Sequence, residues 1–391
     1  MNNWNRREFI QSGAACAAFG SNSQPLPAVV ATLQESAAQG PVHFSGDGLH
    51  LSPLEYSQLL VKLARAENAQ RDTYMSGGAV ERLETRFAKA LGKERAVFAP
   101  TGTLANHLAI RHLAHGKSRV LVQAESHIYN DSLDCVQTLS HLNLAPLATG
   151  QATFTLAQVE EACKRALERP YPVPVGAISI ECPVRRRDGE AFDYEEMKRV
   201  ARFAREHDIK LHLDGARLFI ASAYTGVTPA EYAALFDTVY ISLYKYFNAA
   251  TGAILAGPGE LIEQIARDRK VFGSGLYQAW PYAAVALHYL DGFTERFQKA
   301  TEVAKSLFTL LEKHPRFRVQ TLPRGTNIYK LHVKGVDPEK YHAALASNGI
   351  RVPRPNPDAQ FQGMRLVINE SLSGKSAPEL AKVFIGSLPN G

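Results

Sequence analysis

The sequence predicts an α/β fold: a large domain with a mostly parallel, seven-stranded-type sheet between helices, then a smaller C-terminal α+β domain. Three observations carry this. Helix-like and strand-like stretches alternate from about residue 55 over about 200 residues, the pattern of a parallel sheet covered on both faces. Hydrophobic residues make up 45% and charged residues 21% of the 391, enough for a sizeable core and unlike a disordered chain. After a long helical region, the last part of the chain changes to strands and helices in a different order.

Each element has its own signal. Residues 55–69 and 79–91 read as helices, the second with Val80, Leu83, Phe87 and Leu91 at three-to-four spacing. Ala96-Val97-Phe98 is a short apolar strand that runs into Pro100-Thr101-Gly102-Thr103 and a helix to about His112. Arg119–Val122 reads as a strand, 156–168 as a helix, Val175–Ile180 as a strand and 193–207 as an amphipathic helix. Lys210–Leu213 is a strand ending at Asp214, and Thr238–Leu243 and Ala253–Ala256 are strands. A helical region over 281–313 breaks near Asp291-Gly292. Strands at Phe317–Gln320, Ile328–Val333, Ile350–Val352 and Met364–Ile368, with helices at 338–348 and 377–387, complete the smaller unit. The expected partition is 1–40 signal and linker, 41–285 large domain and 286–391 small domain.

The first forty residues read separately. Arg6-Arg7-Glu8-Phe9, followed by a weakly apolar Ala-rich stretch, has the form of a twin-arginine export signal. The expectation is export through that machinery to the periplasm or beyond, with a cytoplasmic location as the alternative. No later stretch has the length and apolarity of a membrane span. Net charge is +6, from 44 Lys+Arg against 38 Asp+Glu, which permits anionic ligands without arguing for nucleic acid. Four Cys without a CxxC pair do not make a disulfide scaffold. His43, His107 and His112 have no metal-site spacing, so no metal is expected.

Ligands of open α/β sheets bind beyond the carboxyl ends of the strands. Four such positions stand out. Thr101-Gly102-Thr103 offers backbone N–H groups, hydroxyls and a helix N-terminus, either an anion site or a plain cap. His127 follows the strand ending at Val122 and can be a base, a stacking platform or an ordinary loop residue. Asp214 ends an apolar strand, where a carboxylate needs a cation or a protonated ring nitrogen, with Arg217 as the simplest partner. Ser242-Leu243-Tyr244-Lys245 places an amine in apolar surroundings, which favours its neutral, nucleophilic form over an exposed loop lysine. Together they match pyridoxal 5′-phosphate (PLP): donors for its phosphate, a ring to stack on it, a carboxylate for its pyridinium nitrogen and an amine for its aldehyde.

These stretches resemble the threonine aldolase / β-eliminating lyase family, which has the aspartate-aminotransferase-type fold. The resemblance rests on Phe98–Asn106, Ser126-His127, His212-Leu213-Asp214-Gly215-Ala216-Arg217-Leu218-Phe219, Ser242–Gly257 and Arg365-Leu366-Val367, in order over about residues 45–370. It implies that 41–285 is the PLP-binding domain. Thr101, Gly102, Thr103 and Ser242 belong to the cofactor site, His127 stacks on the ring, and Asp214 pairs with its nitrogen. Arg217 contacts the ring hydroxyl or the substrate, Lys245 carries the aldehyde as a Schiff base, and Arg365 binds the substrate carboxylate. Asp131, where the family has Glu, is an acid/base candidate with His127. The implied activity is cleavage of a threonine-like β-hydroxy-α-amino acid to glycine and an aldehyde. The alternatives are β-elimination or another reaction begun by Cα–H loss, and an exported binding protein without turnover. A homodimer or homotetramer is expected, with 272–282 reaching a neighbouring subunit.

The chain also departs from the family pattern. Its N-terminal Arg-Ser-Asp-Thr segment is here Phe44-Ser45-Gly46-Asp47-Gly48, leaving Ser45 as the substrate-site candidate. The usual His after Glu-Asn-Thr is missing from Glu181-Cys182-Pro183-Val184-Arg185-Arg186-Arg187, and that arginine run reads as a solvated turn, with a substrate anion or subunit contact as alternatives. Tyr277 stands where the family has a phosphate-reaching Arg. The expectation is a retained cofactor site with an altered substrate-reading shell.

Overall fold

In the computed structural model, residues 40–66, 69–168, 170–354 and 363–389 are described. The expected export signal lies outside them. The strands are β1 (Val42–His43), β2 (Arg95–Ala99), β3 (Arg119–Gln123), β4 (Asn143–Leu147), β5 (Val175–Glu181), β6 (Lys210–Asp214), β7 (Thr238–Ser242), β8 (Ala253–Gly257), β9 (Phe317–Gln320), β10 (Ile328–Val333), β11 (Ile350–Arg351) and β12 (Met364–Val367).

A seven-stranded sheet has the order β2-β8-β7-β6-β5-β3-β4. β8 is antiparallel to both of its neighbours, and the other pairings are parallel. Strand β5, Val-Gly-Ala-Ile-Ser-Ile-Glu, is buried at all seven positions. That is the signature of a central parallel strand covered on both faces. β4 is an edge strand that the sequence pattern does not announce; Pro146 interrupts its apolar run, and an edge tolerates Pro because one row of its N–H groups needs no partner.

The helices follow their local chemistry. Ser52 and Glu55 form a capping box ahead of Pro53–Arg65. Gly78–Leu91 buries Val80, Leu83, Phe87 and Leu91 and ends at Gly92 with a left-handed φ of 61°. The expected break in the long helical region falls between Trp280–Leu290 and Phe293–Glu312, where Gly292 has φ 67°.

The described residues from Pro41 onward form one compact unit with two large apolar cores. The first surrounds the seven-stranded sheet and extends to Phe297. The second holds Ala300–Phe384 residues around the antiparallel sheet β12-β10-β9, together with Val42 and Phe44 from the start of the described chain. β1 pairs in parallel with β11, and Asn369 Nδ2 donates to the carbonyls of His43, Ser45 and Gly46. Residues 42–46 are thus fastened to the second core, and the loop after them is carried to the carboxyl ends of the central strands. Gly48 packs so closely on the Lys245 segment that a Cβ there would lie 2.4 Å from the Lys245 carbonyl oxygen. No described helix is long and apolar enough to cross a membrane.

Candidate active site

A cavity of about 1070 Å³ opens beyond the carboxyl ends of β3, β5, β6 and β7. Among the described residues that line it are Thr101, Gly102, Thr103, His127, Asp214, Arg217 and Lys245. The structure therefore brings seven of the sequence-selected residues to one space. It adds Asp47, Glu181, Arg185 and Tyr240.

At one end, Thr101 caps the helix Gly102–Leu113 by accepting the Leu104 N–H at 3.2 Å. By helix geometry, the N–H groups of Gly102 and Thr103 have no intrahelical acceptor, so donors and the positive end of the helix dipole meet here. A Cβ on residue 102 would lie 2.0 Å from the Tyr240 hydroxyl oxygen, so only glycine fits beside that ring.

Asp214, at the end of β6, is buried. Asn106 Nδ2 donates to its Oδ2 at 2.6 Å, and the Ala216 N–H donates to its Oδ1 at 3.1 Å. With its amide donating to Asp214, Asn106 turns its Oδ1 towards His212 Nε2, 2.9 Å away. His212 Nδ1 lies 2.8 Å from the Thr238 hydroxyl. An ionised carboxylate only accepts, so this chain settles the proton order: Nε2 of His212 carries the hydrogen and Nδ1 accepts from Thr238. Burial lowers the His212 pKa to about 4, which keeps the ring neutral as this order requires.

Lys245 stands on the loop after β7. Burial, then repulsion from Arg217, lowers its amine to about 8, against the opposing pull of Asp214, Asp47 and Glu181. Arg217 is half-buried and donates from Nε to Asp47 Oδ2 at 2.8 Å. Asp47 lies 170 residues earlier in the chain.

His127 also lines the cavity. Its backbone N–H donates to Glu181 Oε2 at 2.6 Å, while Glu181 Oε1 accepts the Arg185 N–H at 2.9 Å. One buried carboxylate thus ties the loops after β3 and β5 together. Burial, then the neighbouring Asp214 charge, pushes the Glu181 carboxyl up to about 7. Asp131 Oδ2 stands 3.4 Å from His127 Nδ1. The guanidinium of Arg186 holds the Asp131 carboxyl below the usual carboxylate range, so a carboxylate charge stands beside the imidazole. Asp131 itself is not among the described residues lining the cavity.

Four other selected residues stand outside that lining. Arg365, on β12, donates from Nε to Asp188 Oδ1 at 2.8 Å, which ties its guanidinium down beside Lys330 on the same carboxylate. Ser45 has its carbonyl taken by Asn369 Nδ2 and His50, which turns this stretch towards the second core. Ser242 is fully enclosed in β7; Tyr240, two residues back on the same strand face, reaches the cavity instead. Tyr277 is exposed and packs edge-on against Tyr74, and its carbonyl accepts the Tyr74 N–H at 2.8 Å.

Of the added residues, Asp47 had a legible signal as the acidic member of the altered Phe44–Gly48 segment, and Glu181 as a carboxylate ending an apolar strand. Arg185 was hidden in its arginine run, and Tyr240 and Asn106 in apolar strand and helix patterns. Among the described residues, no group of three or more His, Cys, Asp or Glu side chains is placed to hold a metal ion.

The donor set fits PLP: an anion cup at residues 101–103, a fixed carboxylate at Asp214, an imidazole at His127 and a low-pKa amine at Lys245 share one cavity. A family model for beta-eliminating lyases matches residues 61–334. The chain belongs to the beta-eliminating lyase family. A low-specificity L-threonine aldolase of Candida albicans is 26% identical over 315 residues, covering 78% of this chain and 80% of that protein. A protein of Listeria monocytogenes EGD-E assigned as an L-allo-threonine aldolase superposes with a TM-score of 0.74 at 25% identity, over 92% of this chain and 99% of that one. A serine palmitoyltransferase variant of S. paucimobilis, solved with PLP bound, shares the fold at a TM-score of 0.61 and 16% identity, over 89% of this chain and 87% of that one.

Proposed function

We propose that this member of the beta-eliminating lyase family is a PLP-dependent threonine-aldolase-type lyase, which cleaves a β-hydroxy-α-amino acid to glycine and an aldehyde. The observation that carries the reading is the convergence of Lys245, Asp214 and the Thr101–Thr103 turn on one cavity, in a chain whose curated relatives include several threonine aldolases. Those relatives favour carbon–carbon cleavage over β-elimination.

When bound, PLP supplies an aldehyde to capture the substrate amine and a protonated ring to take the electron pair of the breaking Cα–Cβ bond. The chain's residues serve that chemistry. Gly102 and Thr103 N–H groups, with the hydroxyls of Thr101 and Thr103, would hold the phosphate. Asp214, fixed in place by Asn106 and the Ala216 N–H, would face the ring nitrogen and favour its protonated form. His127 would cover the ring, and its imidazole, beside the Asp131 carboxylate, would take the β-hydroxyl proton. The Arg217–Asp47 pair closes the side of the cavity nearest Lys245 and fixes the N-terminal loop there.

Lys245→Ala should abolish the visible absorbance of lysine-bound cofactor and all turnover. Unchanged absorbance on added PLP would remove Lys245 from its role. We also propose export by the twin-arginine route, which fractionation of Arg6→Lys/Arg7→Lys against wild type tests. A homodimer or homotetramer is the proposed assembly, with Tyr277 in the segment that meets a neighbouring subunit.

A further inference from the structure

The cations around the cavity are not equivalent. Lys245 is committed to the cofactor aldehyde in the reading above. Arg217 is half-buried and paired with Asp47. Arg365 is paired with Asp188. Arg185 combines what none of the three does: it lines the cavity, and its guanidinium is half exposed with only a long contact to a carboxylate. The side-chain acceptor it meets is Asp131 Oδ2, at 3.4 Å. That carboxylate already takes two bonds from Arg186, Nη2 to Oδ1 at 2.7 Å and Nε to Oδ2 at 3.2 Å.

One carboxylate therefore faces two guanidiniums, and the poorly paired one is the one in the cavity. Its backbone N–H is held by Glu181, while its half-exposed head meets the shared carboxylate at 3.4 Å. The same Asp131 Oδ2 is 3.4 Å from His127 Nδ1, so the Arg185 head lies beside the imidazole that serves the β-hydroxyl. A second carboxylate on the substrate, attached at the β-carbon, would meet Arg185 there in a charge-assisted contact.

We propose that Arg185 reads an anionic β-substituent and that the preferred substrate is a β-hydroxy-α-amino dicarboxylic acid of the β-hydroxyaspartate type. This rests on the lyase function proposed above. The reaction balances without another reactant. The β-hydroxyl proton passes to His127, the Cα–Cβ bond breaks, Cα regains a proton to give glycine, and the β-carbon leaves as the aldehyde carbon of glyoxylate.

The test uses the holoenzyme as wild type, Arg185→Gln and Arg185→Lys. kcat/KM is measured for β-hydroxyaspartate and for threonine, and calorimetry gives Kd for aspartate and alanine, which lack the β-hydroxyl. Wild type should favour β-hydroxyaspartate. Arg185→Gln should lower kcat/KM on it about tenfold or more, mainly through KM, and weaken aspartate binding by a similar factor. Threonine turnover and alanine binding should stay within about twofold of wild type, with Arg185→Lys intermediate on the acidic ligands. Equal losses on acidic and neutral ligands, or no loss on either, would overturn the proposal. Wild type that shows no lysine-bound cofactor and turns over neither substrate would instead overturn the lyase function.

Discussion

Lys245→Met replaces the amine by an apolar side chain of similar length and so isolates the cost of burying a charge in the cavity wall. The native amine titrates at about 8 rather than 10.5, with burial as the first cause and Arg217 as the second. A gap of about 2.5 pH units corresponds to about 3 kcal/mol, an upper figure because water enters the cavity. Below about pH 8 the lysine is protonated in both folded and unfolded chains, so the whole penalty applies. Between about pH 8 and 10.5 the unfolded chain binds more protons than the folded one, and stability rises with pH. Above that window both forms are neutral and the penalty is gone. Cofactor-free Lys245→Met should therefore be more stable than cofactor-free wild type by up to about 3 kcal/mol at pH 7. The difference should shrink across the window. Urea unfolding at a series of pH values measures it. A difference independent of pH, or a wild type more stable than the variant at pH 7, would refute the reasoning.

Two further substitutions probe the cofactor site. Gly102→Ala drives a methyl group into the Tyr240 hydroxyl, an overpacking worth about 1–3 kcal/mol, so PLP affinity and melting temperature should both fall. Adding Tyr240→Ala should recover part of the loss in a cofactor titration. Asn106→Ala removes a donor from Asp214 and orphans the His212 Nε2–H, which should cost about 1–3 kcal/mol in urea unfolding. It should also weaken PLP binding, and an unchanged cofactor Kd would argue against the Asp214 role.

Much of the cofactor site was legible because each of its parts is local in the chain. Asp214, Lys245 and the Thr101–Thr103 turn follow apolar strands within a few residues, and a strand end announces itself by composition. His127 was legible for the same reason, but its pairing was not. Its N–H finds Glu181, 54 residues on, because β3 and β5 lie side by side in the sheet. Arg217 was expected near the ring or substrate, yet whether Asp214 or Asp47 would hold it depended on where the loop after β1 travels. Arg365 carried a strong resemblance in Arg365-Leu366-Val367, but its ion pair with Asp188 joins residues 177 positions apart.

The sequence by itself determined the alternating elements, the break at Gly292, the polar residues at the strand ends and the family resemblance, since these depend on neighbours in the chain. Only the tertiary structure decided the strand order, the antiparallel insertion of β8 and the attachment of Val42 and Phe44 to the second core. It also decided which arginines have strong partners and which weakly paired one lines the cavity. Those outcomes arise from packing and charge pairing between distant segments, and a carboxylate's partner is chosen by distance in space rather than by separation in sequence.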